Sequence, residues 1–258
     1  SKILVSNKNI MFIIISSLKF KASEILSKGL SLLFGNFEVI TIEPFDTRTS
    51  MEYLNLRLKD QDTPLPLKEF IIHFTGGYPM YMDIISDSLI TKKDSTFPEL
   101  LEDILFATSG ALNQRFVNYL KRFDKRPSGN DSINMLYLIS SGRNKLKELA
   151  HILRKKKSEV NLMVTRLLEL DTITRSGDFL RINDRVFSFW LKFVYQEKLN
   201  SLTFDAKNQK ARFRDQIDAM VQEFTLISQK TLMERMNDLF RLFEDEILQI
   251  EKKKIRLN

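Results

Sequence analysis

Residues 132–184 hold four local patterns in a fixed order, and few small folds accommodate that order. "SINMLYLISSG" has helical spacing and stops at Gly142. "NKLKELAHILRKK" starts a second helix behind Asn144 as its cap, and "SEVNLMVTRLLELD" a third behind Ser158. "TITRSGDFLRIND" alternates as a strand, turns at Ser176, Gly177 and Asp178, and alternates again. The third helix repeats Val160, Val164, Leu167 and Leu168 on one side. That leaves Asn161, Thr165 and Arg166 on the outer side.

Three helices followed by a hairpin is the order of a winged helix-turn-helix. In that arrangement the third helix enters a major groove, so Asn161, Thr165 and Arg166 are the expected readers of base edges. Lys155, Lys156 and Lys157 precede the helix and Arg175 and Arg181 flank the wing, where phosphates would pass. Winged helices also serve as protein-protein or intramolecular clamps, and a triple lysine at a helix junction is also an ordinary solvated surface.

Charge weights the choice toward DNA. Residues 1–120 hold 12 Lys and Arg against 14 Asp and Glu, whereas residues 121–258 hold 28 against 19. The net charge of +7 therefore sits entirely in the second half, which points to a polyanionic partner. The chain has no cysteine, which excludes disulfides and thiolate zinc sites. Its two histidines, His73 and His151, are isolated, so no structural metal is expected. The longest apolar run, Ile10 to Ile15, is too short to span a bilayer and lacks a cleavage site after it. A soluble, cytoplasmic protein without membrane association is expected.

With 258 residues and 43% hydrophobic content, the chain has material for several small units. In residues 1–45, "NIMFIIISS" and "FEVITIEPF" read as two buried strands of a parallel sheet, with the helical "KASEILSKGLSLLFG" between them. Two such strands are only a remnant of a sheet. Residues 46–127 read as a helical bundle whose first helix follows a Ser50 cap. The turn-rich "DKRPSGND" marks a boundary, the winged helix follows over 128–186, and 187–258 form a helical extension. Around its start Val186, Trp190, Phe193 and Val194 are spaced as core residues. Two amphipathic stripes follow, one through Phe213, Ile217, Met220, Val221 and Phe224 and one through Leu232, Met236, Leu239, Phe243, Ile247 and Ile250. These pair as a hairpin or serve a homodimer seam; the spacing permits both. Asp245, Glu251 and Lys253 echo a nuclease metal site in spacing only, since a charged helix end produces the same pattern. The fold class read from these patterns is mainly α, with an α/β sheet remnant, a helical lid, a winged helix and a helical extension.

"TGGYPMYM" remains. It has neither the lysine nor the preceding strand of a phosphate-binding loop, and G-x-G-x-x-G is absent. Gly76 and Gly77 are placed to end one helix in a left-handed turn, and Pro79 to begin the next. Taken with "LLFGNFEVITIEPF" before it and "RINDRVFSFWLKFVY" after the hairpin, this stretch resembles the archaeal-type P-loop ATPases of the STAND branch of AAA+ proteins. The resemblance implies that Ser16 or Ser17 lies near nucleotide phosphates at the end of a sensor strand. It also implies that Gly77 to Pro79 belong to a lid element whose proline packs on adenine. It departs in two places: Walker A and Walker B segments are missing, and Asn36 follows Gly35 where arginine is usual. A fragment beginning at Ser1 that has lost its P-loop core is expected. ATP and magnesium would bind the whole protein, and this chain alone would supply no catalytic residue and no hydrolysis. Its expected role is to couple nucleotide state through the lid to a DNA-binding winged helix. The alternatives are a non-enzymatic DNA-binding regulator and a protein-interaction adaptor.

Overall fold

The computed structural model describes residues 13–29, 38–124, 129–195, 206–242, 247–250 and 253–256. Within them the chain is mainly α-helical. The helices are α1 (Lys19–Glu24, extended by a π turn over Ile25–Gly29), α2 (Thr47–Arg57), α3 (Leu65–Thr75) and α4 (Pro79–Thr91). Then come α5 (Phe97–Leu101, extended as π over Glu102–Phe106), α6 (Ala111–Asp124), α7 (Gly129–Ser140), α8 (Leu146–Ile152) and α9 (Lys157–Glu169). An antiparallel hairpin, β1 (Ile173–Ser176) and β2 (Phe179–Ile182), leads to α10 (Arg185–Trp190, π over Leu191–Tyr195), α11 (Ala206–Gln229) and α12 (Leu232–Leu242). A second hairpin, β3 (Ile247–Ile250) and β4 (Lys253–Arg256), follows. No described helix is long and apolar enough to cross a membrane.

The chain divides into two compact units, each discontinuous in sequence. One joins residues 1–45 to 101–209; the other joins 46–100 to 210–258. The helices expected as one lid over 46–127 are thereby shared between them, α2 to the start of α5 in the second unit and α6 in the first.

In the first unit the core is aromatic. The Trp190 indole is fully buried and donates to Asn113 Oδ1 at 3.0 Å, so its one polar atom is satisfied. Phe116 lies 5.6 Å from it and 5.3 Å from Phe187, and Tyr119 packs edge-on against Phe187 at 5.2 Å. Val186 and Val194 are buried as their spacing requires, and the Phe193 ring lies tilted against Phe189 at 4.8 Å. The link from α5 into α6 passes through Gly110, where an added Cβ would lie 2.4 Å from the Ile104 carbonyl oxygen and 2.5 Å from that of Asp103. Only a residue without a side chain allows that approach.

The second unit packs α2, α3 and α4 against one another around Leu54, Phe70, Ile71, Met82 and Ile85. Phe70 meets Phe74, Phe97 and Phe224 at 5.7, 5.9 and 5.7 Å, which brings the α11 stripe into this core. Phe213 and Ile217 of that stripe are buried.

Three details differ from the sequence reading. The cap of α2 is Asp46, whose Oδ1 accepts from the Thr49 amide at 2.7 Å, while Ser50 is buried within the helix. That amide holds the Asp46 carboxyl below its ordinary pKa. The second amphipathic helix ends at Leu242, and the β-branched Ile247 and Ile250 lie at the ends of β3, which pairs with β4. The described parts of the two expected buried strands, 13–16 and 38–45, carry no ladder. Ile15 and Ile42 there are 89% and 93% exposed. A strand is defined by neighbours that take its N–H and C=O groups, and the described residues provide none.

Replacing Gly110 by alanine must move two backbone carbonyls, so Gly110→Ala is expected to destabilise the protein by roughly 1–3 kcal/mol. Urea denaturation followed by the fluorescence of Trp190, the single tryptophan, measures this.

Candidate nucleic-acid interface

Helix α9 buries Val160, Met163, Val164 and Leu167, which orients the opposite face outward. On that face Thr165 is exposed and Asn161 and Arg166 are half-buried. Thr165 Oγ1 donates back to the Asn161 carbonyl at 3.0 Å. Leu162 stands beside them, 53% exposed. The helix begins two residues earlier than a Ser158 cap implies. Lys156 is its N-cap, and the Glu159 carboxylate accepts from the Lys156 amide at 3.0 Å.

The three lysines differ in environment. Lys155 Nζ pairs with Asp131 Oδ2 at 2.8 Å, and this hydrogen bond raises the ammonium's pKa above its ordinary value. Lys156 and Lys157 are exposed and appear in no ion pair among the described residues. Sequence spacing treats the three alike because the Asp131 partner lies on α7, remote in the chain.

The hairpin turns through Gly177 at φ 60° with Asp178 next, the glycine-first form that matches strand twist. Arg175 Nε donates to the Gly177 carbonyl at 2.8 Å, which turns its guanidinium toward the turn. Arg181 is exposed opposite Thr174. A third extended segment joins the sheet: Lys145 bridges Phe179, and Leu180 N–H donates to the Asn144 carbonyl at 3.0 Å. Asn144 thus serves the sheet with its backbone, and α8 starts after Lys145. The sequence reading missed Lys145, Phe179 and Leu162. An aromatic two residues after the hairpin glycine was the available signal for Phe179.

At the root of the hairpin, Asp171 holds a left-handed conformation at φ 51°. Asn183 Nδ2 donates to its carbonyl at 2.8 Å, and its carboxylate Oδ2 accepts from the amide of Phe20, in the first turn of α1, at 3.1 Å. Helix α1 also packs against α9. Adjacent Thr172 shares a 2.7 Å hydrogen bond with Tyr119, whose phenol burial pushes above its ordinary pKa. One short stretch therefore ties α1, α6 and the hairpin together.

The residues assigned to nucleotide lie in both units. In the first, Ser16 and Ser17 are exposed, and the Ser16 hydroxyl closes a local turn with the Leu18 amide and carbonyl at 3.1 Å. In the second, Gly76 caps α3 at φ 64° and Gly77 follows at φ 78°. Pro79 is the first residue of α4. The helix joint read from the sequence is therefore formed. Tyr78 is partly exposed and lies 5.8 Å from Tyr81. Gly35 and Asn36 lie outside the described residues, as do Asp245 and Glu251. Among the described residues no acidic or histidine cluster could hold a metal ion.

No protein-family model matches the sequence, and no curated protein matches it. A solved structure does resemble it: a Walker-type ATPase of Pyrococcus abyssi, with a TM-score of 0.54 at 16% identity. The fold is P-loop-ATPase-like. The likeness covers 65% of this chain and 49% of that one, so this chain matches about half the length of that ATPase.

Two measurements test this geometry. Gln at both Lys156 and Lys157 is expected to flatten the salt dependence of duplex binding by about 0.9 in log-log slope per lost phosphate contact, while Lys155→Gln changes it little. Asp171→Gly keeps the left-handed backbone but removes the carboxylate. It is expected to speed amide hydrogen exchange in residues 19–24 by about tenfold, whereas Asp171→Asn retains an acceptor and slow exchange.

Proposed function

We propose that this chain is the sensing and output part of a STAND-type, AAA+-like ATPase in the cytoplasm, in which nucleotide state governs a DNA-binding winged helix. The observation that carries the reading is the likeness in fold to a Walker-type ATPase, joined to a three-helix-and-hairpin unit with exposed lysines at its reading helix. The P-loop core of the same protein supplies the phosphate loop, ATP and magnesium. The residues here do not fit a complete nucleotide site, because the sequence has no G-x-x-x-x-G-K-[ST] and no described acidic cluster for magnesium. No hydrolytic step is assigned to them.

What this chain contributes is response. The exposed β-branched residues of 13–15 and 39–42 have the composition of strands that complete a core sheet. Ser16 follows the first of them and shapes the entry to α1, and the α1 amide at Phe20 is held by Asp171 of the winged helix. A phosphate drawing the Ser16 hydroxyl away from Leu18 would loosen that entry and pass the change to the root of the wing. In the lid, Pro79 sets the first turn of α4 and would pack on adenine beside Gly77. The exposed Leu232, Met233, Met236 and Phe240 of α12 would carry self-association.

A second reading has its own observation. Exposed Leu162 at the centre of α9, between Glu159 and Glu169, favours a protein surface over a phosphate backbone and supports an adaptor without enzymatic partner domains.

The test uses the native protein. Its intact mass and amino-terminal sequence are measured first, then titration with a fluorescent ATP analogue. The ATPase reading expects an upstream Walker A loop and nucleotide affinity weakened about tenfold or more by Pro79→Ala. A native chain without a Walker A loop, or unchanged affinity in the variant, overturns it.

A further inference from the structure

The solvent face of the small hairpin sheet carries a row that the groove-reading helix does not use. Directly opposite residues in an antiparallel ladder point to the same side. Phe179 of β2 stands opposite Ser176 of β1 and, on its other edge, opposite Lys145. Two residues along β2 on the same face lies Arg181, opposite Thr174. The inner positions Leu180 and Ile182 are buried, so the alternation is complete. The row therefore reads cation, aromatic, hydroxyl, with a second cation beside it.

Phe179 is 52% exposed, the most exposed aromatic side chain among the described residues. Lys145 Nζ lies 5.1 Å from the ring centroid and covers one of its faces. Neither Lys145 nor Arg181 is in an ion pair among the described residues; of the acids three residues away, Glu148 is paired with Arg143 and Asp184 caps α10, and Asp178 lies in the turn. Both charges are thus available to an anion passing along the face. Among the described residues the ring has no partner other than the ammonium.

We propose that this face is a stacking platform for single-stranded nucleic acid. One unpaired base stacks on the open side of Phe179, and Lys145 and Arg181 take the phosphates on either side of it. A ring with an adjacent cation suits a base because every base has a π face and every linkage carries a charge. A duplex offers no free base face to a ring standing on a sheet, so the platform selects strands that are open or end in an overhang. The row leaves 2′-hydroxyl recognition unassigned, and the chemistry is shared by DNA and RNA. This deepens the nucleic-acid reading above and rests on it.

The test is fluorescence anisotropy of the full chain with a labelled pyrimidine oligonucleotide of about 12 nucleotides, within the usual site range. The same strand as RNA and as a blunt DNA duplex are the further arms, and 2-aminopurine within the strand reports stacking. The expected result is single-strand binding weakened about tenfold or more by Phe179→Ala, retained by Phe179→Tyr, with duplex binding unchanged. Lys145→Gln and Arg181→Gln are each expected to flatten the single-strand salt slope by about 0.7. Tighter RNA than DNA binding supports the platform and identifies its strand. Single-strand binding that ignores Phe179→Ala, or binding to duplex alone, overturns the platform and leaves the duplex-binding winged helix standing. Binding to none of the three overturns both.

Discussion

The Trp190 indole is the point on which the first unit turns. A fully buried indole must place its N–H on an acceptor, and Asn113 on α6 supplies it from 77 residues away. Once that hydrogen bond and the surrounding Phe116 and Phe187 rings are set, α6 is fixed against α10, and Tyr119, two turns along α6 from Asn113, faces the root of the hairpin. Its phenol then meets Thr172. The direction of the hairpin is in this sense a consequence of how one ring is buried. An isolated hairpin of two four-residue strands is marginal in water. Here its buried Ile173, Leu180 and Ile182 give it a core to rest on.

The polar groups at the hairpin root extend the same logic to electrostatics. Asp171 has its carboxylate on the α1 amide, and Asp131 has its carboxylate on Lys155. Each acid takes up a donor that would otherwise face solvent, and each changes what the surface offers. The basic character counted over the second half of the chain is therefore not spread evenly on the interface. It concentrates on Lys156 and Lys157 at the start of α9 and on Lys145 and Arg181 over the sheet, with Glu159 and Glu169 interrupting it. Two distinct basic faces result, one helical and one on the sheet.

Much of the local architecture was legible. The Gly76, Gly77 and Pro79 joint, the end of α7 at Gly142 and the turn at Gly177 were readable because glycine's left-handed freedom and proline's fixed φ act on the residues beside them. The inward side of α9 was readable because helical period is local. The Asp46 cap was missed in favour of Ser50, since both residue types cap and only the direction of the entering chain separates them. The end of the last helix at Leu242 was missed because Ile247 and Ile250 satisfy a helical stripe as well as a strand. Among the site residues, the outward position of Thr165 was legible, whereas the engagement of Lys155 and the exposure of Phe179 were not.

By itself the sequence determined the mainly helical class, the three helices and hairpin in order, the helix joint at the two glycines and the basic second half. These follow from propensity, spacing and composition, which depend on neighbours within about four residues. Tertiary structure decided which lysines stay open, that α6 belongs with the three helices and hairpin and not with α2 to α4, and that a carboxylate 151 residues away holds the start of α1. Those outcomes depend on which surfaces close against each other. That is a property of packing in three dimensions, which no short window of sequence contains.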